Sequence, residues 1–438
     1  MTIRNTMSHP QYQEPCGWQS LLIRRCPEPA LDGAEDYDLV VIGAGFTGLA
    51  AARTWAEARP GERVAVIDAS IVGEGSPGRN SGFMLEIALA DDADPAAVGR
   101  MARCNALLGH TMETLRGLVR DHGIRCQLAR TGTYRGAATA RGVRYLENYR
   151  AFLDAAGLAY ERLDSDALEA RLGTRYYRYG LYSPDCSLVQ PAALIRGLAD
   201  ALPVNVRLYE ETPAVAVERE ADVWRVDTPG GMLRAPRVLL ANNGFARELG
   251  AGLRSRLVVM YTYAGLTAPL EPTLLDALGS EASWGLLPAH RLGSTLRRTA
   301  EGRLMVRSFY GYEREAHNAP VAAQLEACLL ARFPQLARSR AWRPLEHVWG
   351  GATGFTYNGA PVWGEIAPGL LVSAGCNGGG VVKGTLLGTL LAKQALGAAI
   401  PDVGQLFGAA SWMPPEPVRQ LGFALLSRLG RRAAGLET

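Results

Sequence analysis

The hydrophobic pattern changes period several times along the chain, and each change marks an element. "YDLVVIG" (Tyr37–Gly43) is a short unbroken apolar run with β-branched residues, the pattern of a strand buried on both faces. "FTGLAAARTWAEA" (Phe46–Ala58) follows with a helical repeat and stops at Pro60-Gly61. "RVAVID" (Arg63–Asp68) is a second buried strand, which completes a β-α-β unit. Helical periodicity returns over Pro95–His122 and Gly142–Ala156. Three strand-like pieces come next: "VRLYEETPAVAVERE", "VWRVDTP" and "RVLLANNG". A different strand set covers Leu257–Leu270 and Leu304–Tyr312. "LLVSAG" is a last buried strand and Val381–Leu396 a last helix.

The first and last pieces share one character. They predict an α/β fold: a Rossmann-type doubly wound domain interleaved with a second domain built on a mixed or antiparallel sheet. The expected division is an N-terminal arm over 1–35, a dinucleotide-binding domain over 36–90 plus about 175–255 plus about 345–400, and a substrate domain with covering helices over about 91–174 plus about 256–344. The arm is Pro-rich and polar and reads as a segment draped over the surface. Residues 401–438 form a helical tail, basic from Pro417 to Ala434, with a stripe of Leu421, Leu425, Leu426 and Leu429. Such a stripe packs on the chain's own core or touches a membrane surface; the first is expected here.

Composition narrows the class. With 48% apolar residues the chain can bury a large core, which excludes a disordered polymer. The 46 basic and 43 acidic residues nearly balance, giving no reason to expect nucleic acid as the main partner. Seven scattered cysteines, with no C-x-x-C pair, argue against a zinc site or a disulfide framework and fit a reducing cytoplasm. No signal-like apolar region opens the chain, and no run reaches the ~18 apolar residues of a membrane span.

The chemistry begins at the first strand–helix turn. Gly43, Gly45 and Gly48 form G-x-G-x-x-G, with Phe46 and Thr47 in the helix's first turn. The three glycines allow a tight turn, backbone approach to a pyrophosphate and close helix–strand packing. Amides at the helix N-terminus then face the phosphates. Asp68, followed by Ala69, ends the second strand, where its carboxylate can accept from a ribose 2′- and 3′-OH and disfavours a 2′-phosphate. "GEGSPGRNSGF" (Gly73–Phe83) places Ser76, Arg79, Asn80, Ser81 and Gly82 in a loop able to bring backbone and a cation to an extended ligand.

"DLVVIGAGFTGLAAA", "GSPGRNSGF", "WGGATGFTYNGAPVWGE" and "LLVSAGCNGGGVVKGTLLG" together resemble, in order, the main blocks of the D-amino-acid-oxidase-like FAD superfamily. Arg79-Asn80 and Trp349-Gly350-Gly351 look most like the branch of γ-glutamylputrescine, sarcosine and glycine oxidases. The resemblance implies FAD, with Gly375, Asn377, Gly378, Gly379, Gly380 and Val381 approaching the isoalloxazine. A helix N-terminus there would stabilise negative charge on the ring. It implies that Asn242 and Gly244 lie near the pyrophosphate, where the family usually has Thr-Gly, and that the backbone of Ala214 meets the adenine. Covalent members use a cysteine where Gly350, Gly351 and Ala352 stand here, or a histidine in the early loop, so noncovalent FAD is expected.

The implied reaction oxidises a C–N bond: hydride passes to flavin N5 and the imine is hydrolysed. The acceptor is O2 in an oxidase, another molecule in a dehydrogenase. Lys383 either faces the flavin and assists oxygen reduction or lies on the solvated side of its helix. Tyr261, Tyr263, Tyr310 and Trp349 form either an aromatic cage for an amine or sheet core. Arg297 holds a substrate carboxylate or makes a surface ion pair. His290 and His317 read as solvated loop residues. An NAD(P)H-dependent hydroxylase and a non-catalytic dinucleotide sensor are the rival readings. No metal, no nucleic acid and a small-molecule partner complete the expectation.

Overall fold

The computed structural model describes residues 8–87 and 97–438. The four-residue runs Leu39–Ile42 and Val64–Ile67 are buried throughout and pair in parallel. They sit at the centre of a six-stranded sheet. Its order is Val362–Ala367, Leu370–Ala374, Arg237–Leu240, Leu39–Ile42, Val64–Ile67, Val206–Tyr209, and only the first of these runs antiparallel to its neighbour. Alternation within each strand feeds two layers. Leu39, Val41, Val64 and Val66 face a helical layer that includes Phe46–Ala58, Pro191–Asp200 and Val382–Ala395. Val40, Ile42, Ala65 and Ile67 face a four-stranded sheet of Gly33–Asp36, Gly231–Ala235, Val223–Thr228 and Ala216–Glu220. Both faces are covered, so these strands read as unbroken apolar runs.

Two glycines fix the helical layer. A Cβ on Gly48 would lie 1.8 Å from the carbonyl oxygen of Gly43, which leaves no room for any other residue in this turn. A Cβ on Gly388 would lie 2.1 Å from the carbonyl oxygen of Thr47. The helices Phe46–Ala58 and Val382–Ala395, more than 300 residues apart in sequence, are thus in backbone contact through their first two turns.

The second sheet has eight strands, in the order His347–Phe355, Val258–Leu266, Leu304–Tyr312, Thr295–Arg298, Trp284–Pro288, Thr133–Ala137, Tyr179–Ser183, Glu161–Asp164. It is antiparallel apart from the pairing of Trp284–Pro288 with Thr133–Ala137. One face packs on a core that includes the helix Asn318–Arg332. Two strands fall on the other side of the expected division: Tyr179–Ser183 and His347–Phe355, drawn from 175–255 and 345–400, belong to this mixed sheet. The helix expected over Pro95–His122 is observed as Val98–Asp121; Pro95 lies outside the described residues.

Two expectations about the ends are corrected. The arm is not draped over the surface: Cys16 and Trp18 are buried between the two sheets with Ala192, Ala264, Leu266, Met305 and Trp349. Further along, Arg25 pairs with the fully buried Glu210, which also accepts from the Val72 amide at 2.6 Å. The tail stripe does not pack on the core. Leu421, Leu425, Leu426 and Leu429 on the helix Val418–Ala434 are 68, 60, 62 and 51% exposed. Phe423 on the same helix packs against Tyr312 with ring centroids 5.1 Å apart. No described helix is long and apolar enough to cross a membrane.

Candidate functional site

A continuous cavity of about 1220 Å³ runs from the end of the parallel sheet to the open face of the mixed sheet. At one end stand Gly43, Gly45, Phe46 and Thr47, the first turn of the helix Phe46–Ala58. Gly48 lies behind them, taken up by its contact with Gly43. Asp68 and Ala69 line the same end. One Asp68 carboxylate oxygen accepts from the Ala44 amide at 2.8 Å, the other from the Ser70 amide at 3.0 Å. Burial pushes this carboxyl up to about 6, against the pull of those two amides. Each oxygen keeps a lone pair for a further donor. Ala214 completes this end, its carbonyl accepting from the Ser8 hydroxyl.

Gly375, Asn377, Gly378, Gly379, Gly380 and Val381 line the cavity further along, ahead of the helix Val382–Ala395. Its N-terminus therefore opens on the same space as that of Phe46–Ala58, because Gly388 and Thr47 hold the two helices together. Asn377 is a brace rather than a contact group. Its Oδ1 accepts from the Thr356 amide at 2.9 Å and its Nδ2 donates to the carbonyls of Gly359 and Gly375. Asn243, not predicted as a ligand contact, ties two strand ends together: its Oδ1 accepts from the amides of Gly375 and Cys376 at 3.1 and 3.2 Å. Asn242 and Gly244 line the cavity, and the Asn242 Oδ1 is buried without a partner.

The early loop forms the wall between the ends. Ser76 donates to the Ala352 carbonyl, joining it to the mixed sheet. Arg79 is 7% exposed and has no carboxylate partner among the described residues; it donates to the carbonyls of Glu74, Gly350 and Glu14 and lies 3.6 Å from the Tyr12 ring centroid. Asn80 is used within the turn, donating to the Pro77 carbonyl and accepting from the Gly82 amide. Ser81 lines the cavity, and Gly82 sits behind the wall against Arg297 and Val189.

The open face of the mixed sheet closes the far side, and here several expected residues are displaced. Strand alternation puts Met260 and Thr262 in the cavity, so Tyr261 and Tyr263 point the other way, into the core with Leu325 and Leu329. The Tyr263 hydroxyl is occupied by the Ala316 amide at 2.6 Å. Trp349 is fully buried and donates from Nε1 to the Arg79 carbonyl at 3.1 Å. Arg297 is neither a carboxylate clamp on the cavity nor a surface ion pair. It is 3% exposed, donates to the carbonyls of Ser81 and Val189, and lies 5.0 Å from the Trp18 ring, and burial pushes its guanidinium down to about 10.

Tyr310 does line the cavity. A bulge leaves Phe309, with φ of 60°, unpaired opposite Thr262 and Tyr263, and re-aims Tyr310 to the face that carries Arg307. Arg307 Nη2 donates to the Tyr310 hydroxyl at 2.8 Å, and Tyr310 donates to the Arg291 carbonyl at 3.1 Å. Lys383 also lines the cavity and makes no hydrogen bond or ion pair among the described residues. It is one of only two lysines in a chain with 44 arginines.

These features fit a flavin dinucleotide. An acid stands at the adenosine end, two helix N-termini offer amides to anionic groups, and the glycine loop leaves its backbone open. Residues 38–394 match the DAO family, FAD dependent oxidoreductase. The probable oxidoreductase OrdL of Rhizobium meliloti is 27% identical, over 84% of this chain and 85% of that protein. The gamma-glutamylputrescine oxidoreductase of Escherichia coli is 26% identical, over 89% and 90%. Among solved structures, glycine oxidase from Geobacillus kaustophilus superposes with a TM-score of 0.73 at 20% identity, covering 87% of this chain and all of that one. L-proline dehydrogenase from P. horikoshii superposes with a TM-score of 0.69 at 16% identity, over 87% and 98%. Two distant glycine loops meeting on one cavity, an acid at its adenosine end and a family match across most of the sequence lead to one conclusion: this chain belongs to the DAO family of FAD-dependent oxidoreductases.

Proposed function

We propose that the chain oxidises a C–N bond of an amine or amino acid and passes the electrons to O2. FAD, when bound, supplies the two-electron acceptor. The substrate carbon next to nitrogen loses a hydride and the nitrogen lone pair closes the C=N bond. Water then adds and splits the imine into a carbonyl compound and an amine or ammonia. O2 takes up two electrons and two protons to give hydrogen peroxide.

The observation that carries this reading is the shared cavity. The N-terminus of Val382–Ala395 opens on the space bounded by Met260, Thr262, Arg307 and Tyr310. A substrate held against that face is oriented towards the glycine loop, and orientation is most of what such a transfer needs from the protein. Three of the named relatives, gamma-glutamylputrescine oxidoreductase, glycine oxidase and L-proline dehydrogenase, carry an amine or amino acid in their names, in keeping with this assignment. Anaerobic mixing with a panel of amines and amino acids should bleach the visible flavin band with at least one class. Bleaching by NADPH alone would make the protein a hydroxylase instead, and bleaching by nothing a sensor.

The acceptor side rests on Lys383, a cation on the cavity wall with no partner among the described residues. Lys383→Met should slow reoxidation by O2 at least tenfold (about 1.4 kcal/mol of barrier) while leaving anaerobic bleaching intact. An unchanged reoxidation rate would remove Lys383 from the oxygen reaction. The flavin is taken to be noncovalent, since Gly350, Gly351, Ala352, Arg79 and Asn80 offer neither thiol nor imidazole. Acid precipitation should leave all the yellow colour in the supernatant. Colour in the pellet would mean a tether, with Cys376, a thiol on the glycine loop, as the first residue to replace.

A further inference from the structure

The cavity wall is strongly one-signed. Among the described residues, Asp68 is the only acidic one that lines it, and it stands at the adenosine end. Arg79, Arg100, Arg135, Arg291, Arg307 and Arg419 line the rest. The charges of the whole chain nearly balance, whereas those of the described residues on this wall do not. A bound diphosphate accounts for part of that field, but not for the arginines on the mixed sheet.

Arg135 is the least explained of them. It lies on the strand Thr133–Ala137 and is 4% exposed. Among the described residues it makes no ion pair, and its Nε and Nη2 are both buried without a hydrogen-bond partner. Its guanidinium rests 4.3 Å from the centroid of Tyr149, on the helix Ala140–Ala155, and the Tyr149 hydroxyl is also unpartnered. Arg297, equally buried on the same sheet, also has an unpartnered Nε, but its Nη1 donates to two carbonyls. A buried guanidinium with unmet donors is costly in an empty site and becomes favourable when an anion arrives.

The register places Arg135 relative to Arg307. Arg307 pairs with Thr295, and Leu287 with Arg135, and all four line the cavity. The two arginine strands are three positions apart, so their backbones are roughly 14 Å apart at the usual strand spacing of about 4.8 Å. Arg307 and Arg135 thus offer two separate cationic points on one wall.

We propose that Arg135 is the anchor for a carboxylate remote from the reacting nitrogen, so that the substrate is an amine or amino acid bearing a distal carboxylate. The assignment of a substrate class rests on the proposed amine oxidation; the anion subsite itself does not. The guanidinium fork and the planar carboxylate match in two parallel hydrogen bonds, a geometry that a neutral amide cannot satisfy without burying one of its own donors against the cation.

Two experiments test it. The first compares flavin bleaching by carboxylate and carboxamide partners: ω-amino acids of two to six carbons against their amides, and both enantiomers of glutamate and aspartate against glutamine and asparagine. The wild-type protein should prefer a carboxylate member about 30-fold in kcat/KM. Arg135→Gln should bring that preference below about threefold by raising KM for the carboxylate, with Arg135→Lys intermediate and the spectrum of bound flavin unchanged. A wild-type protein without preference, or a preference that survives in Arg135→Gln, would overturn the proposal, and the wild-type comparison stands even if the variant does not fold. The second is calorimetric titration of the flavin-loaded protein with glutarate and with its neutral diamide glutaramide, neither of which can be oxidised as an amine. Glutarate should bind at least tenfold more tightly, and this difference should vanish in Arg135→Gln. If glutarate binds so but no amine bleaches the flavin, the subsite stands and the amine-oxidation reading falls. If amines bleach the flavin but glutarate and glutaramide bind alike, the subsite falls alone.

Discussion

At the scale of single residues, Asp68 gives the sharpest consequence. Its ordinary carboxyl value is 3.8, and burial raises it to about 6 in the free protein. A raised carboxyl means that the folded protein holds the proton more tightly than the unfolded chain. Its contribution to stability is therefore full below about pH 4 and is lost as pH rises through 6. Ribose hydroxyls donating to the carboxylate favour the ionised form and reverse the sign for FAD. The dissociation constant for FAD should rise about tenfold as pH falls from 7 to 5, because a proton must leave before the ribose can donate. Titration of the flavin-free protein with FAD at several pH values measures this, and Asp68→Asn should bind weakly with a flat profile. A flat profile in the wild-type protein would place the ribose elsewhere. Asp68 was legible in the sequence because strand end and glycine spacing fix a backbone position. Tyr261 and Tyr263 were not: a period of two defines two faces of a strand without saying which one meets the ligand, and the neighbours that decide it, Leu325 and Leu329, lie on a distant helix.

At the scale of elements, the site depends on two helices whose N-termini must point at one space. The sequence showed each helix and each glycine loop but did not show their contact, although Gly384 and Gly388, one turn apart, mark a face suited to close approach. Gly388→Ala forces a Cβ against the Thr47 carbonyl, a backbone atom that cannot yield without parting the helices. We expect a loss of about 2–3 kcal/mol in denaturant unfolding and weaker FAD binding. Gly384→Ala meets only the Thr47 hydroxyl, at 3.0 Å, and gains helix propensity, so its effect should stay within about 1 kcal/mol. Equal effects of the two substitutions would mean that the helices are not locked at Thr47.

At the scale of the whole molecule, the question is how two sheets built from alternating stretches of chain are held at a fixed distance. Apolar periodicity identified the strands, but partner choice among strands of like character is settled by tertiary packing. This is why Tyr179–Ser183 and His347–Phe355 were expected with the parallel sheet and are found in the mixed one. The arm departs from its surface-like composition for a related reason: among its prolines and polar residues stands one tryptophan that is buried between both sheets. Trp18 lies in one buried cluster with Ala192 on the helical layer of the parallel sheet and Ala264, Leu266 and Met305 on the mixed sheet. Its ring meets Trp349 edge-on at 6.2 Å and lies beneath Arg297. Its Nε1 donates to the Asn80 carbonyl at 2.9 Å, and its own carbonyl accepts from Gln190 at 2.6 Å. Trp18→Ala removes the filler between the sheets and one support of the cavity wall together. The expected loss is about 3–5 kcal/mol of stability, with flavin release and unfolding occurring in one transition at a lowered midpoint. Arg297→Gln, which removes a brace of the same wall, should likewise lower the midpoint and yet leave any carboxylate preference intact, the opposite of what Arg135→Gln should do. Flavin loss well below the unfolding midpoint in Trp18→Ala would show that the arm supports the cavity alone and does not join the sheets.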